Sequence, residues 1–75
     1  MKEILEILME IRPDVDFKMS SDFIDEYLLD SFDIMVLTSR LEEKFRIVIQ
    51  TNEIIPENYK NIESIERLVL KSGER

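Results

Sequence analysis

Residues 30–45 read DSFDIMVLTSRLEEKF and carry the most regular hydrophobic pattern of the chain. The side chains that share one face of this segment are Ile34, Leu37, Thr38, Leu41 and Phe45. Their spacing of three or four residues is typical of an α-helix. Asp30 or Ser31 stands at the N-cap position, where a side-chain oxygen can accept a free backbone N–H. The segment therefore predicts a helix over 31–45. Its core stripe is expected to centre on Ile34, Leu41 and Phe45.

Two further helices are predicted on either side of this segment. Near the N-terminus the helical spacing of apolar residues appears at Ile4, Ile7, Leu8 and Ile11. Pro13 closes that helix, because the residue before a proline is pushed out of the helical region. Asn61 is predicted to cap a final helix that ends at Ser72-Gly73. The apolar side chains of that helix are Ile62, Ile65, Leu68 and Val69.

The segments between these three helices are predicted to form their connections. Residues 13–30 have no sustained period, so we expect a long ordered loop pinned by apolar side chains. Those side chains are Phe23, Ile24, Tyr27, Leu28 and Leu29. Residues 47–50 have strand propensity without a second strand to pair with, which predicts an extended connector. Pro56 suits the first position of a short helix to about residue 60. The predicted fold is all-α, a small four-helix bundle of three main helices and a short third one, in a single domain over 1–75.

The composition limits the chemistry of the chain. Seventeen Asp and Glu against ten Lys and Arg give a net charge of −7. This balance argues against nucleic-acid binding, which needs a basic face, and suits basic protein partners. The sequence has no Cys, no His and one Gly, so thiolate nucleophiles, Ser–His triads, Cys or His metal sites and Gly-rich nucleotide loops are excluded. We predict a non-enzymatic protein without catalytic or metal-binding residues. A hydrolase using carboxylates alone would need a cleft that a chain this small has little room to form.

Two observations bear on location. The start, Met1-Lys2-Glu3, has an early acid and no cleavage site of small residues after it, so we expect no targeting segment. No apolar run approaches the roughly 20 residues that span a bilayer. The expectation is a cytoplasmic monomer without stable membrane insertion.

The outer face of the 31–45 helix is predicted to be a docking surface. Opposite the core stripe lie Phe32, Val36, Ser39 and Glu43, with Met35 and Glu42 on the flank. Apolar side chains at positions that are normally polar indicate either a helix buried on all sides or a partner surface, and we expect the partner surface. Five acids precede or begin the helix without any basic residue between them, at Asp22, Asp25, Glu26, Asp30 and Asp33. Such a patch would attract a basic partner.

The ordered combination of these motifs resembles the acyl carrier protein family. Leu29-Asp30-Ser31-Phe32-Asp33 parallels the Asp-Ser-Leu signature of the family, and Leu41-Glu42-Glu43-Lys44-Phe45 parallels the acidic end of its second helix. Ile54-Ile55-Pro56-Glu57-Asn58-Tyr59 and Asn61-Ile62 are similar to its third helix and the start of its fourth. The similarity covers nearly the whole chain.

The resemblance implies a function for Ser31. A phosphopantetheinyl transferase would attach 4′-phosphopantetheine to its hydroxyl from coenzyme A, using magnesium. An acyl-loading ligase or acyltransferase would then place an acyl group on the arm as a thioester for fatty-acid, polyketide or related biosynthesis, and the helices would part to shelter an acyl chain. The residues implied in partner binding are Asp30, Phe32, Asp33, Met35, Val36, Glu42 and Glu43.

Three positions depart from the fatty-acid members of the family. Leu28 stands where many have Gly, Phe32 fills the common Leu position, and Val36 replaces a usual acid. Leu28-Leu29-Asp30-Ser31 is more similar to D-alanyl carriers and to other carriers loaded by adenylating ligases. A D-alanyl or aminoacyl/peptidyl carrier loaded by an adenylating ligase stays open as an alternative, although Leu29-Asp30 lacks the Gly that is typical of the peptidyl branch. An alternative of another class is an acidic helical interaction module in which Ser31 is only a helix cap.

Overall fold

The computed structural model describes residues 2–73, and these contain three α-helices joined by segments with short 3-10 turns. The α-helices are α1 (Lys2–Ile11), α2 (Ser31–Phe45) and α3 (Ile62–Gly73). The 3-10 turns are Phe17–Met19, Thr51–Glu53 and Pro56–Asn58. No strand occurs within this part of the chain, so the all-α prediction is confirmed. The predicted short third helix is the turn Pro56–Asn58, and 47–50 forms the expected extended connector.

The three α-helices pack against one another, and α1 makes the largest contact with α2. The core formed between them contains thirteen buried hydrophobic residues. Those without any exposed surface are Ile4, Leu8, Leu37, Leu41, Tyr59 and Ile65. No helix of the described residues is long and apolar enough to span a membrane.

The buried face of α2 is centred on Leu37 and Leu41, whereas the pattern predicted a centre at Ile34, Leu41 and Phe45. Leu37 and Leu41 are fully buried and Thr38 nearly so, whereas Ile34 and Phe45 are half-buried at the edges of the core. Thr38 can face inward because its hydroxyl is satisfied there. It donates a hydrogen bond of 2.8 Å to the carbonyl of Ile34 and is also hydrogen-bonded to the Tyr59 hydroxyl.

The long loop between α1 and α2 is pinned by buried apolar side chains as predicted, except at Tyr27. Phe17 and Phe23 are buried and meet edge to face, with ring centroids 5.0 Å apart. The backbone N–H of Phe23 donates to the carbonyl of Lys60, which ties this loop to the segment before α3. Tyr27 does not pin the loop, since its side chain is 91% exposed.

The predicted cap of the last helix is confirmed. The Oδ1 atom of Asn61 accepts a hydrogen bond of 2.8 Å from the backbone N–H of Ser64, which satisfies one of the free donors of the first turn. Gly73 is the last described residue, so the predicted end at Ser72-Gly73 falls at the boundary and Glu74 lies outside the described residues.

Candidate functional site

The candidate site is built on the first turn of α2. Asp30 is the N-cap, with extended backbone angles, and Ser31 is the first helical residue. The Oδ1 atom of Asp30 accepts a hydrogen bond of 2.8 Å from the backbone N–H of Asp33, and the Asp33 Oδ2 atom accepts one of 3.2 Å from the N–H of Asp30. This reciprocal capping box fixes the direction in which the chain enters the helix.

Ser31 is left free by this arrangement because Asp30, not Ser31, supplies the cap. Its side chain is exposed and makes no hydrogen bond with the described residues. The hydroxyl lies at the positive end of the helix dipole, beside backbone N–H groups that favour a negative charge. A negatively charged group attached here would therefore meet favourable electrostatics from the backbone.

Arg12 supports the same turn from the end of α1. Its Nη1 atom lies 3.2 Å from Oδ2 of Asp33, and its Nε atom lies 3.5 Å from Oδ1 of Asp14. Hydrogen bonds to Asp14 and then to Asp33 raise the pKa of Arg12, so the guanidinium stays charged. The same Asp33 oxygen that caps the helix is thus held by a cation, and the capping box is fastened to α1.

The sequence did not single out Arg12. The ion pair joins two residues that are 21 positions apart, so no local pattern contains it. The only signal in the sequence was an isolated base just before a long stretch that is rich in acids.

The predicted partner-binding residues fall into two groups. Asp30, Phe32, Met35 and Glu43 are exposed, with Phe32 at 71% and Met35 at 67%. The other residues, Asp33, Val36 and Glu42, are partly or largely covered.

Two of the covered residues are engaged within the chain. Asp33 is only 7% exposed and is held by Arg12. Glu42 accepts a hydrogen bond of 2.9 Å at its Oε2 atom from the backbone N–H of Ile49, which fastens the extended connector to α2. Both side chains therefore have a structural role that the sequence pattern did not predict.

The acids near Ser31 do not form a metal site by geometry alone. No group of three or more His, Cys, Asp or Glu side chains within residues 2–73 is arranged to hold a metal ion. Asp22 instead stabilises its own turn, because its Oδ1 atom accepts hydrogen bonds from the backbone N–H groups of Ile24 and Asp25.

Comparison with known families identifies the family of the chain. The family model described as "Phosphopantetheine attachment site" matches residues 1–69, which is most of the chain. Comparison with curated proteins and with solved structures gave no significant match. The family is defined by a site at which 4′-phosphopantetheine is attached covalently. The expected kinship with acyl carrier proteins is confirmed, and the chain belongs to the phosphopantetheine-attachment family.

Proposed function

We propose that Ser31 is the residue that carries the prosthetic group and that the protein is an acyl carrier. The single observation that carries this proposal is the free, exposed hydroxyl of Ser31 at the first position of α2, beside a cap supplied by Asp30. When bound, 4′-phosphopantetheine supplies a thiol that holds an acyl group as a thioester.

The attachment requires a partner enzyme. The Oγ atom of Ser31 forms a bond to the phosphorus nearest the pantetheine of coenzyme A. The bond from that phosphorus to the bridging oxygen breaks, and adenosine 3′,5′-bisphosphate leaves with the electron pair. The serine proton passes to a base on the transferase, because the chain has no histidine to receive it.

The exposed residues around Ser31 form the surface that we assign to partner enzymes. Asp30 and Glu43 contribute charge, and Phe32 and Met35 contribute apolar area. Acids on a carrier accelerate the approach of a basic partner, and exposed apolar side chains supply the contact energy after encounter.

The remaining predicted residues have narrower proposed roles. Val36 adds half-buried area at the edge of this surface. Asp33 and Glu42 act on partners through the position of the turn and of the connector that they hold.

Intact mass measurement tests the attachment. The purified protein is incubated with coenzyme A, magnesium and a broad-specificity transferase, and a gain of one phosphopantetheine is expected. Ser31→Ala should abolish the gain, while Ser39→Ala, which removes another exposed hydroxyl of α2, should retain it. Absence of any gain in the wild type would favour the acidic interaction module.

The cargo is proposed to be an acyl group loaded in the cytoplasm onto a monomeric carrier by a ligase or acyltransferase. The second candidate is an aminoacyl or D-alanyl carrier, which Leu28-Leu29-Asp30-Ser31 favours. Incubating the modified protein with ATP and adenylating ligases for fatty acids or for amino acids would separate the two, because only the matching ligase would add its mass to the arm.

A further inference from the structure

Tyr27 occupies a backbone position that normally belongs to glycine. Its φ angle is 60°, in the left-handed region. The N–H of Tyr27 donates to the carbonyl of Ile24, and the N–H of Leu28 donates to the carbonyl of Phe23 over 2.8 Å. These two bonds form the pattern that closes a helical turn with a left-handed residue, for which glycine is preferred because it has no Cβ. A residue with a side chain is strained there, because its Cβ comes too close to the following carbonyl oxygen.

The side chain of Tyr27 makes no contact within the described part of the fold that would offset this strain. It is 91% exposed, its ring meets no other aromatic ring among residues 2–73, and its hydroxyl makes no hydrogen bond with them. A strained residue persists when another requirement holds it in place, and such residues concentrate at binding sites. The aromatic side chain of Tyr27 is therefore held in solvent by a strained backbone.

Tyr27 lies close to Ser31 along the chain. The two residues are four positions apart, so their backbones are separated by at most about 14 Å. A standard interface buries about 800 Å² on each partner, which is a patch of roughly 16 Å radius and about a sixth of the 5083 Å² surface of this chain. The backbone of Tyr27 therefore lies within the radius of an interface centred on Ser31.

The surroundings of Tyr27 indicate the chemistry of the partner. The ring borders a groove of about 720 Å³, whose other apolar walls are Ile24, Ile55 and Pro56. Among the described residues that line this groove, Lys60 is the one cation and stands against three acids, Asp22, Asp25 and Glu57. The complementary surface is apolar at its centre and cationic at its rim.

We propose that Tyr27 is the anchor residue by which this carrier docks on its phosphopantetheinyl transferase. The ring enters an apolar pocket of the transferase, and cations at the rim of that pocket meet the acids beside Tyr27. This inference rests on the proposed attachment at Ser31 and adds a specificity-determining residue to it. Exposed tyrosines are well suited to this task because they combine large contact area with few rotatable bonds.

The test uses steady-state attachment kinetics with the transferase of the source organism, coenzyme A and magnesium, with the full-length carrier as the varied substrate. Tyr27→Gly should raise KM at least tenfold with little change in kcat, while its melting temperature stays equal or rises because strain is relieved. Tyr27→Phe should keep KM within about threefold of wild type, since the ring is retained. Leu70→Ala, which truncates an exposed apolar residue on α3, is the matched control and should leave KM unchanged.

The possible failures are distinguishable. Tyr27→Asn, which tolerates the left-handed region, provides a second folded variant and should raise KM as Tyr27→Gly does. If the wild type gains the arm and both variants keep the wild-type KM, the anchor role is overturned while the attachment at Ser31 stands. If the wild type gains no arm at all, the proposed function fails and the anchor role fails with it.

Discussion

Replacing Tyr59 by phenylalanine would remove a single hydroxyl from the centre of the fold. Tyr59 has no exposed surface, and its hydroxyl is hydrogen-bonded to Oγ1 of Thr38 on α2. Thr38 has one proton, which its hydroxyl donates to the carbonyl of Ile34, so the Tyr59 hydroxyl is the donor in the bond between the two side chains. The bond joins the segment before α3 to α2, and Tyr59→Phe would delete it without removing the ring.

The expected loss is about 1 kcal/mol of unfolding free energy, the typical net value of a hydrogen bond between uncharged groups. The Thr38 hydroxyl would still donate to the carbonyl of Ile34. Only the lone pair of Thr38 Oγ1 that accepts from Tyr59 would lose its partner. For a domain of this size, a change of about 1 kcal/mol lowers the melting temperature by roughly 4–8 °C. Thr38→Val would cost more, about 1–3 kcal/mol, because the Tyr59 donor would then be buried without a partner.

Urea denaturation followed by circular dichroism measures these changes. Tyr27→Phe is the matched control, because Tyr27 is the other tyrosine of the chain and is exposed; its stability should be unchanged. The double variant Tyr59→Phe/Thr38→Val should cost less than the sum of the single variants by at least 0.5 kcal/mol, roughly the lower limit for coupled neighbours. Strict additivity, or a Tyr59→Phe protein as stable as wild type, would refute the hydrogen-bonded link.

Alkaline pH provides an independent readout of the same residue. Burial raises the pKa of Tyr59 above its ordinary value, because the charged phenolate loses its hydration inside the fold. A raised pKa means that the stability contributed by the neutral form is complete below the unfolded pKa of about 10 and is lost as pH rises from there through the folded pKa. The wild type should therefore lose more stability than Tyr59→Phe as the pH rises above about 10, and parallel curves would contradict the burial argument.

Three further changes test the core, the cap and the surface. Leu41→Ala should lower the unfolding free energy by about 2–5 kcal/mol in urea denaturation, because it opens a cavity in the core; a loss below 1 kcal/mol would contradict its full burial. Arg12→Ala should lower it by freeing Asp33 from its ion pair at the start of α2, whereas Arg12→Lys should recover part of the loss, and equal effects of the two would argue against the ion pair. Glu43→Lys should slow association with a partner enzyme in stopped-flow measurements, and a defect of the same size at 0.5 M salt, where the Debye length is only about 4 Å, would exclude electrostatic attraction as the cause.

Much of the fold could be predicted from local patterns. The boundaries of α2 followed from the spacing of Leu37 and Leu41 and from an acid at the N-cap, because helical periodicity and capping involve residues within one or two turns of each other. The cap of α3 at Asn61 followed from the same reasoning. The candidate attachment residue was also apparent, since the Asp-Ser pair lies at the start of the longest helix.

Local reasoning missed contacts that distant parts of the chain create. Asp33 and Glu42 were expected on the partner surface, and the structure pairs Asp33 with Arg12 and Glu42 with the backbone N–H of Ile49. Tyr27 was expected to pin the loop, yet the turn that ends at Tyr27 directs its side chain into solvent.

The helical segments, their caps and the hydroxyl that begins α2 can be predicted from the order of the residues, because these properties depend on interactions between near neighbours. Which acids remain available at the surface depends instead on long-range packing. Packing brings Arg12 to Asp33 and Tyr59 to Thr38 across 21 positions of sequence in each case, and whether a side chain is paired or exposed depends on such contacts.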